Sequence, residues 1–151
     1  MDQARARGGY RQGGGRGSSG QGGQRPSQIA AKINGMASLG EWNATNLVTD
    51  GEDVAGRLKG QDMPIKTQLY KILSLIKRQQ RNFKRGGFDK EQVVLLKVPL
   101  AWAAYKHQKK LGELFQVLKS AIEKVHDERD YQKLVSFIEA VVAYNALGKI
   151  T

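Results

Sequence analysis

Apolar residues recur every three or four positions over most of the chain after Ser27, and this spacing limits the possible folds more than any other feature. Such stripes run through 65–85, 108–126 and 130–147, and their period is that of one face of an α-helix. No segment alternates apolar and polar residues with period two, and no Asn-Gly or Asp-Gly pair joins two strand-like runs. We therefore predict an all-α fold, a compact bundle of about five or six helices.

The breaks between stripes predict where the helices begin and end. The predicted helices are a short one capped by Ser27, then 50–59, 65–85, 90–107, 108–126 and 130–147. The 90–107 segment is apolar nearly all round, which predicts a central buried element with Trp102 in the core. Pro99 lacks a backbone donor and should kink or split this helix near Lys97.

The first 26 residues differ in composition from the rest. They hold nine of the eighteen glycines, five arginines and no Leu, Ile, Val or Phe. Such a segment buries too little apolar surface to offset its ordering entropy. We predict a disordered RGG-like tail over 1–26 and a helical domain over 27–151. The tail, with Tyr10, suits loose nucleic-acid contact through charge and stacking, or it is a flexible extension without a binding role.

Positive charge dominates the chain, and most of the excess is in the helical domain. The net charge is +11 over 151 residues, which favours a polyanionic partner, either nucleic acid or an anionic membrane. The tail contributes +4 (five arginines against Asp2), and 27–151 contribute +7 (twenty basic against thirteen acidic residues). A local concentration of this charge is therefore expected within the domain.

The helix predicted over 65–85 carries that concentration. No acidic residue lies between Asp62 and Asp89. At 100° per residue from Ile72, the apolar stripe falls between about 0° and 100° and the basic residues between about 120° and 260°. The stripe consists of Leu69, Ile72, Leu73, Ile76 and Phe83. Like charges at i, i+4 cost roughly 0.2–0.5 kcal/mol per pair, and a merely solvated face could have relieved this repulsion with glutamates. The uninterrupted positive charge therefore predicts a ridge that binds a polyanion. The residues predicted to bind phosphates are Lys71, Lys77, Arg78, Arg81, Lys84 and Arg85, extended by Lys106 and Lys109.

Other interpretations of these basic residues remain open. The ridge is also compatible with a merely solvated face, whereas a membrane is disfavoured because the apolar side is needed for the core. The second cluster, Lys106, His107, Lys109 and Lys110, lies at the end of the predicted 90–107 helix. Cations there would also complement that helix's dipole.

Residue types that carry catalysis or bind metals are sparse. The chain has no cysteine, and its two histidines, His107 and His126, have no metal-ligand or triad spacing. The acidic group Asp127, Glu128 and Asp130 is explained by capping between helices. We predict no catalytic residue, metal site or cofactor. The chain has no signal-peptide pattern and no run of ~18 apolar residues, so a cytosolic protein is expected.

Two segments resemble a known family. LLKVPLAWAAYKH (95–107) resembles the LLKPKLAYAAGR-type central helix of the small subunit of type III-A CRISPR–Cas (Csm) effector complexes. LVSFIEAVVAYNALG (134–148) resembles that family's closing FxxFxEAxVAYHKxxG pattern, and KTQLYKI (66–72) its TSQLRKF-like start. The resemblance covers about 48–151. It departs where Tyr70 and Lys106 stand at positions usually occupied by arginine.

The resemblance implies a fold, a role and partners. Members are all-helical, stack in several copies along the guide RNA–target RNA duplex and have no active site of their own. It implies a cytoplasmic ribonucleoprotein of antiviral defence whose partners are guide RNA, target RNA, other subunits and further copies of this chain, with no membrane.

Two alternatives differ in what they bind. A stand-alone RNA- or DNA-binding module would use the ridge and the tail, and would bind short RNA tightly by itself. A helical protein-interaction module would place the ridge against an acidic partner surface, so that charge reversal at Arg78 and Arg81 would abolish partner binding without changing RNA affinity. An enzyme is a more distant alternative, because no constellation of residues supports one.

Overall fold

The computed structural model describes residues 25–58, 63–105 and 107–148, and within these ranges every regular element is helical. The elements are α1 (Pro26–Asn34), a short 3-10 helix (Leu39–Glu41), α2 (Ala44–Arg57), α3 (Met63–Gly86), α4 (Lys90–Leu95), α5 (Lys97–Tyr105), α6 (Gln108–Glu123) and α7 (Glu128–Gly148). The all-α prediction is confirmed. Residues 1–24 of the predicted tail lie outside the described residues.

Two N-termini differ from the predicted ones. Helix α1 begins at Pro26, and its cap is Arg25 rather than Ser27, with the Arg25 backbone N–H donating to the Gln28 side chain at 2.8 Å. Proline suits this first turn because its missing N–H would have no intrahelical acceptor there. Helix α2 begins six residues before the predicted position, because Asn43 accepts a hydrogen bond from the Asn46 backbone N–H at 2.8 Å. The polar run predicted as a loop is thus a cap and a first turn.

The predicted split near Lys97 is confirmed. Helix α4 ends at Leu95 and α5 begins at Lys97. Pro99 has no N–H for the Leu95 carbonyl four residues earlier, and its ring disfavours a continuous helix past that carbonyl. The ladder resumes with the Leu100 N–H donating to the Leu96 carbonyl at 3.1 Å.

Helices α2 and α7 pack closely because one contact position is a glycine. A Cβ atom at Gly51 would lie 2.8 Å from the Ala140 Cβ, a distance at which one helix would have to move. Beside this crossing, Trp42 is buried and its ring lies 5.0 Å from that of Phe137. The buried Asp50 accepts hydrogen bonds from Trp42 Nε1 at 2.9 Å and from Lys32 Nζ at 2.6 Å. This carboxylate ties α1 and the Trp42 side chain to the middle of α2 without leaving a buried charge unpaired.

Helix α3 packs along α7 through apolar and polar contacts. Its Ile72 and Ile76 are buried, and the buried Tyr131 hydroxyl donates to the Ile76 carbonyl at 2.7 Å. Nearer the start of α3, Lys66 Nζ donates to the Asn145 side-chain oxygen at 3.0 Å. The Asn145 amide in turn donates to the Leu58 carbonyl at 3.0 Å. These bonds fix the rotation of α3 about its own axis.

The prediction of a fully buried 90–107 segment is wrong. Its inner face is buried as expected, but Trp102 is 68 % exposed and Tyr105 60 % exposed. The other exposed apolar side chains of this segment are Val94, Leu95 and Val98. The inner face packs on α3 and α6, and no described element covers the outer face. Apolar composition shows that a segment favours burial, but it does not show whether another helix of the same chain or a different molecule packs over it.

We expect Gly51→Ala to destabilise the protein by about 1–3 kcal/mol, because the new methyl group overpacks the contact with α7. Gly56→Ala is the matched control, since a Cβ there meets nothing within 4 Å and helix propensity gains up to about 1 kcal/mol. Urea denaturation of both variants measures the difference. Equal effects at the two positions would show that the crossing is not close.

We also expect a pH effect from Tyr131, because burial raises the pKa of its phenol above the ordinary value. The folded state favours the neutral form, so this stabilisation is fully present below the unfolded pKa of about 10 and is lost as pH rises above it. Tyr131→Phe should cost about 1 kcal/mol at neutral pH by removing the hydrogen bond. That deficit should shrink above pH ~10 by up to about 1.4 kcal/mol per pH unit. Denaturation of both proteins at several pH values tests this, and a constant deficit would contradict it.

Candidate nucleic-acid interface

Six basic side chains lie on the outer side of α3, and we call them the basic ridge. They are Lys71, Lys77, Arg78, Arg81, Lys84 and Arg85. Lys71, Arg78 and Arg85 follow one another at intervals of seven residues, and a rise of 1.5 Å per residue separates them by about 10.5 Å along the axis. The ridge is therefore about 21 Å long from its first to its last member.

The ridge faces solvent because the opposite side of α3 is used for packing. Leu69, Ile72, Ile76 and Phe83 are buried against the rest of the bundle, whereas the ridge residues other than Lys77 are classed as exposed. The Phe83 ring packs edge-on against that of Tyr131, with centroids 5.1 Å apart. The predicted division of this helix into an apolar face and a cationic face is confirmed.

The positive charge of the ridge is largely uncompensated. Lys77 forms an ion pair with Glu139 of α7, with 2.8 Å between Nζ and Oε2, and both side chains are partly exposed. Glu139 is thus paired, and its carboxylate is not buried. No acidic side chain within the described part of the chain pairs with the other five ridge residues. The ridge therefore presents a row of cations able to bind an anion.

The second basic cluster has a different setting from the one expected. Lys106 lies outside the described residues. Lys109 and Lys110 are exposed in the first turn of α6, which has no acidic residue, and the His107 side chain does not cap it. Cations at a helix N-terminus oppose the dipole of that helix. The helix that carries Lys109 and Lys110 therefore gains no dipole stabilisation from them.

A shallow depression of about 240 Å³ lies between the ridge and the exposed side of α4 and α5. Arg78 lines it from α3, and Leu95 and Pro99 line it from the other side. The cationic face of α3 is therefore continuous with the exposed apolar surface. The sequence did not predict an exposed apolar surface beside the ridge, because the apolar composition of 90–107 predicted burial.

Asp127 and Asp130, at the start of α7, accept backbone hydrogen bonds, as the capping prediction expected of them. Asp130 accepts from the Gly40 and His126 backbone N–H groups, each at 2.8 Å, and Asp127 accepts from the Asp130 N–H at 2.8 Å. Among the residues with described positions, no three His, Cys, Asp or Glu side chains form a group able to hold a metal ion. No described helix is long and apolar enough to cross a membrane.

These features define a class: a small all-helical protein with one cationic helix face on a packed core. A family model described as Csm2 Type III-A matches residues 41–148. The chain belongs to the Csm2 family, the small subunit of type III-A CRISPR–Cas (Csm) effector complexes. Membership makes it one component of a multi-subunit complex.

The matched range includes all helices from α2 to α7 and leaves out α1 and the segment before it. Neither a search of curated proteins nor a search of solved structures found a match to the chain.

Proposed function

We propose that this protein is a non-catalytic RNA-binding subunit that stacks in several copies along the guide RNA–target RNA duplex of a Csm complex. In this proposal the basic ridge holds RNA phosphates, and Lys106 and Lys109 extend the same track. The supporting observation is a row of exposed cations on α3, five of them without an acidic partner among the described residues. The biological role is antiviral defence, as expected of such a complex.

The fixed position of α3 supports phosphate binding. The Tyr131 and Lys66 hydrogen bonds join α3 to α7 and so hold the ridge in one orientation. Arginine suits the task because its planar guanidinium donates two parallel hydrogen bonds to a phosphate. Base pairing between guide and target supplies sequence specificity, so this subunit has only to contact the backbone.

We assign the protein no chemical step of its own. Several acidic and histidine side chains with described positions act as caps, ion pairs or hydrogen-bond partners in the bundle, for example Asp130, Glu139 and His126. Chemistry in the assembled complex is therefore assigned to its other subunits.

The first test compares two doubly substituted proteins that lose the same charge. Arg78→Gln/Arg81→Gln removes two ridge cations, and Lys124→Gln/Arg129→Gln removes two cations outside the ridge, at the junction of α6 and α7. Each lost phosphate contact on single-stranded RNA should reduce the slope of log K against log salt by about 0.7. The ridge variant should therefore lower the slope by about 1.4, and the control should change it much less. Equal slopes in the two variants would exclude specific phosphate contacts by these arginines.

The second test asks what the protein assembles with. Tagged full-length protein, expressed with the products of the neighbouring genes, should co-purify with other subunits and with guide RNA identified by sequencing. The protein alone should bind short RNA weakly. Tight binding by the isolated chain together with no co-purifying subunit would favour the stand-alone module. Loss of a protein partner on Arg78→Glu/Arg81→Glu, with RNA affinity unchanged, would favour the acidic-partner alternative.

A further inference from the structure

Two aromatic rings stand exposed on α5 with no assigned role. Trp102 and Tyr105, 68 % and 60 % exposed, follow the exposed Val98 at i+4 and i+7, so all three share one helix face. An exposed apolar patch of this kind marks an interaction site more often than an isolated exposed residue does.

The rings form one wall of an open groove. Their centroids are 5.8 Å apart and their planes meet at 75°, an edge-on arrangement that is favourable for aromatic pairs. With Val98, Ala101 and the Phe115 ring of α6, they line a groove of about 590 Å³. A flat aromatic ligand can enter this groove and lie against the indole.

Cations flank this apolar surface at both ends. Lys109 and Lys110 are exposed a few residues beyond Tyr105, at a position where they oppose the dipole of α6. At the opposite end, Arg78 of the basic ridge adjoins Leu95 and Pro99. Lys97, which also lines the groove, is paired with Glu123 at 3.1 Å. The aromatic pair thus lies between cations that have no acidic partner among the described residues. This arrangement suits a ligand with an aromatic part and anionic ends, which is the chemistry of a nucleotide chain.

We propose that Trp102 and Tyr105 form a stacking platform for an unpaired nucleobase of RNA, whose neighbouring phosphates lie on the flanking lysines and on Arg78. The inference rests on the proposed function, since it assigns a second kind of RNA contact to the same subunit. Stacking tolerates any base, because every base presents an aromatic face. The platform therefore adds affinity for unpaired nucleotides without reading sequence.

The test uses full-length protein and two RNAs: a chain of about twelve adenosines and a chain of equal length whose residues lack bases. Trp102→Ala should weaken binding of the adenosine chain by roughly five- to a hundred-fold. Trp102→Phe keeps a stacking ring and should stay within a few-fold of the wild type. Binding of the base-free chain, which reports phosphate contacts alone, should be the same in the wild type and both variants.

Tryptophan fluorescence gives an independent readout. Trp42 is buried and Trp102 exposed, so quenching by the adenosine chain should come from Trp102 and be absent in Trp102→Phe. Val94→Ser is the matched surface control, because it removes an exposed apolar side chain near the platform but not among the residues lining the groove. It should leave RNA affinity unchanged.

Three outcomes would overturn the platform. Trp102→Ala could bind the adenosine chain as the wild type does, or it could weaken both RNAs equally, which would show that stacking is not involved. Alternatively, Trp102→Ala and Val94→Ser could both change self-association in sedimentation with RNA affinity unchanged, which would make this face a protein interface. If Trp102→Ala binds the adenosine chain as the wild type does while Arg78→Gln/Arg81→Gln weakens RNA binding, only the platform proposal is wrong. If that variant also has no effect, the proposed function fails with it.

Discussion

The packing of α3 on α7 is the contact on which the rest of the molecule depends. The buried Tyr131 hydroxyl bonds the Ile76 carbonyl at 2.7 Å, and Lys66 bonds Asn145 at the other end of the same contact. These hydrogen bonds fix which side of α3 faces inward. Since α3 is a single 24-residue helix, fixing its inner side also fixes the outward direction of the basic ridge. The charge pattern of the surface is thus set by a buried contact on the opposite side of the helix.

The part of the core between α1, α2 and α7 depends on a close helix crossing and on one buried carboxylate. Gly51 allows α2 to approach Ala140 of α7, and Asp50 beside it joins Trp42 and Lys32. A buried carboxylate is tolerated only with such partners, and removing one partner of a buried pair costs more than the pair contributes. These contacts hold α1, α2 and α7 together, and none of them uses a ridge residue.

The exposed face of α4 and α5 is understandable for a subunit of a larger assembly. In an isolated monomer, exposed Val98, Trp102 and Tyr105 would contribute little to folding and would favour non-specific association. In a complex, the same residues are available for a partner that arrives after folding. Leu95 and Pro99 of the same two helices line a depression together with Arg78, so the apolar face and the basic ridge are available to one extended ligand.

Sequence alone determined the helical class, the split before Pro99, the end of α3 to within one residue and the two-faced character of α3, because each follows from local periodicity or backbone chemistry. The family resemblance was also readable in the LLKVPLAWAAYKH and LVSFIEAVVAYNALG segments. The start of α2 was missed because capping by Asn43 competes with loop propensity over a few residues. Only the tertiary structure decided that Lys77 pairs with Glu139 and that Trp102 is exposed. The physical reason is that composition sets the tendency of a side chain to be buried, whereas its actual burial depends on which other helix packs over it.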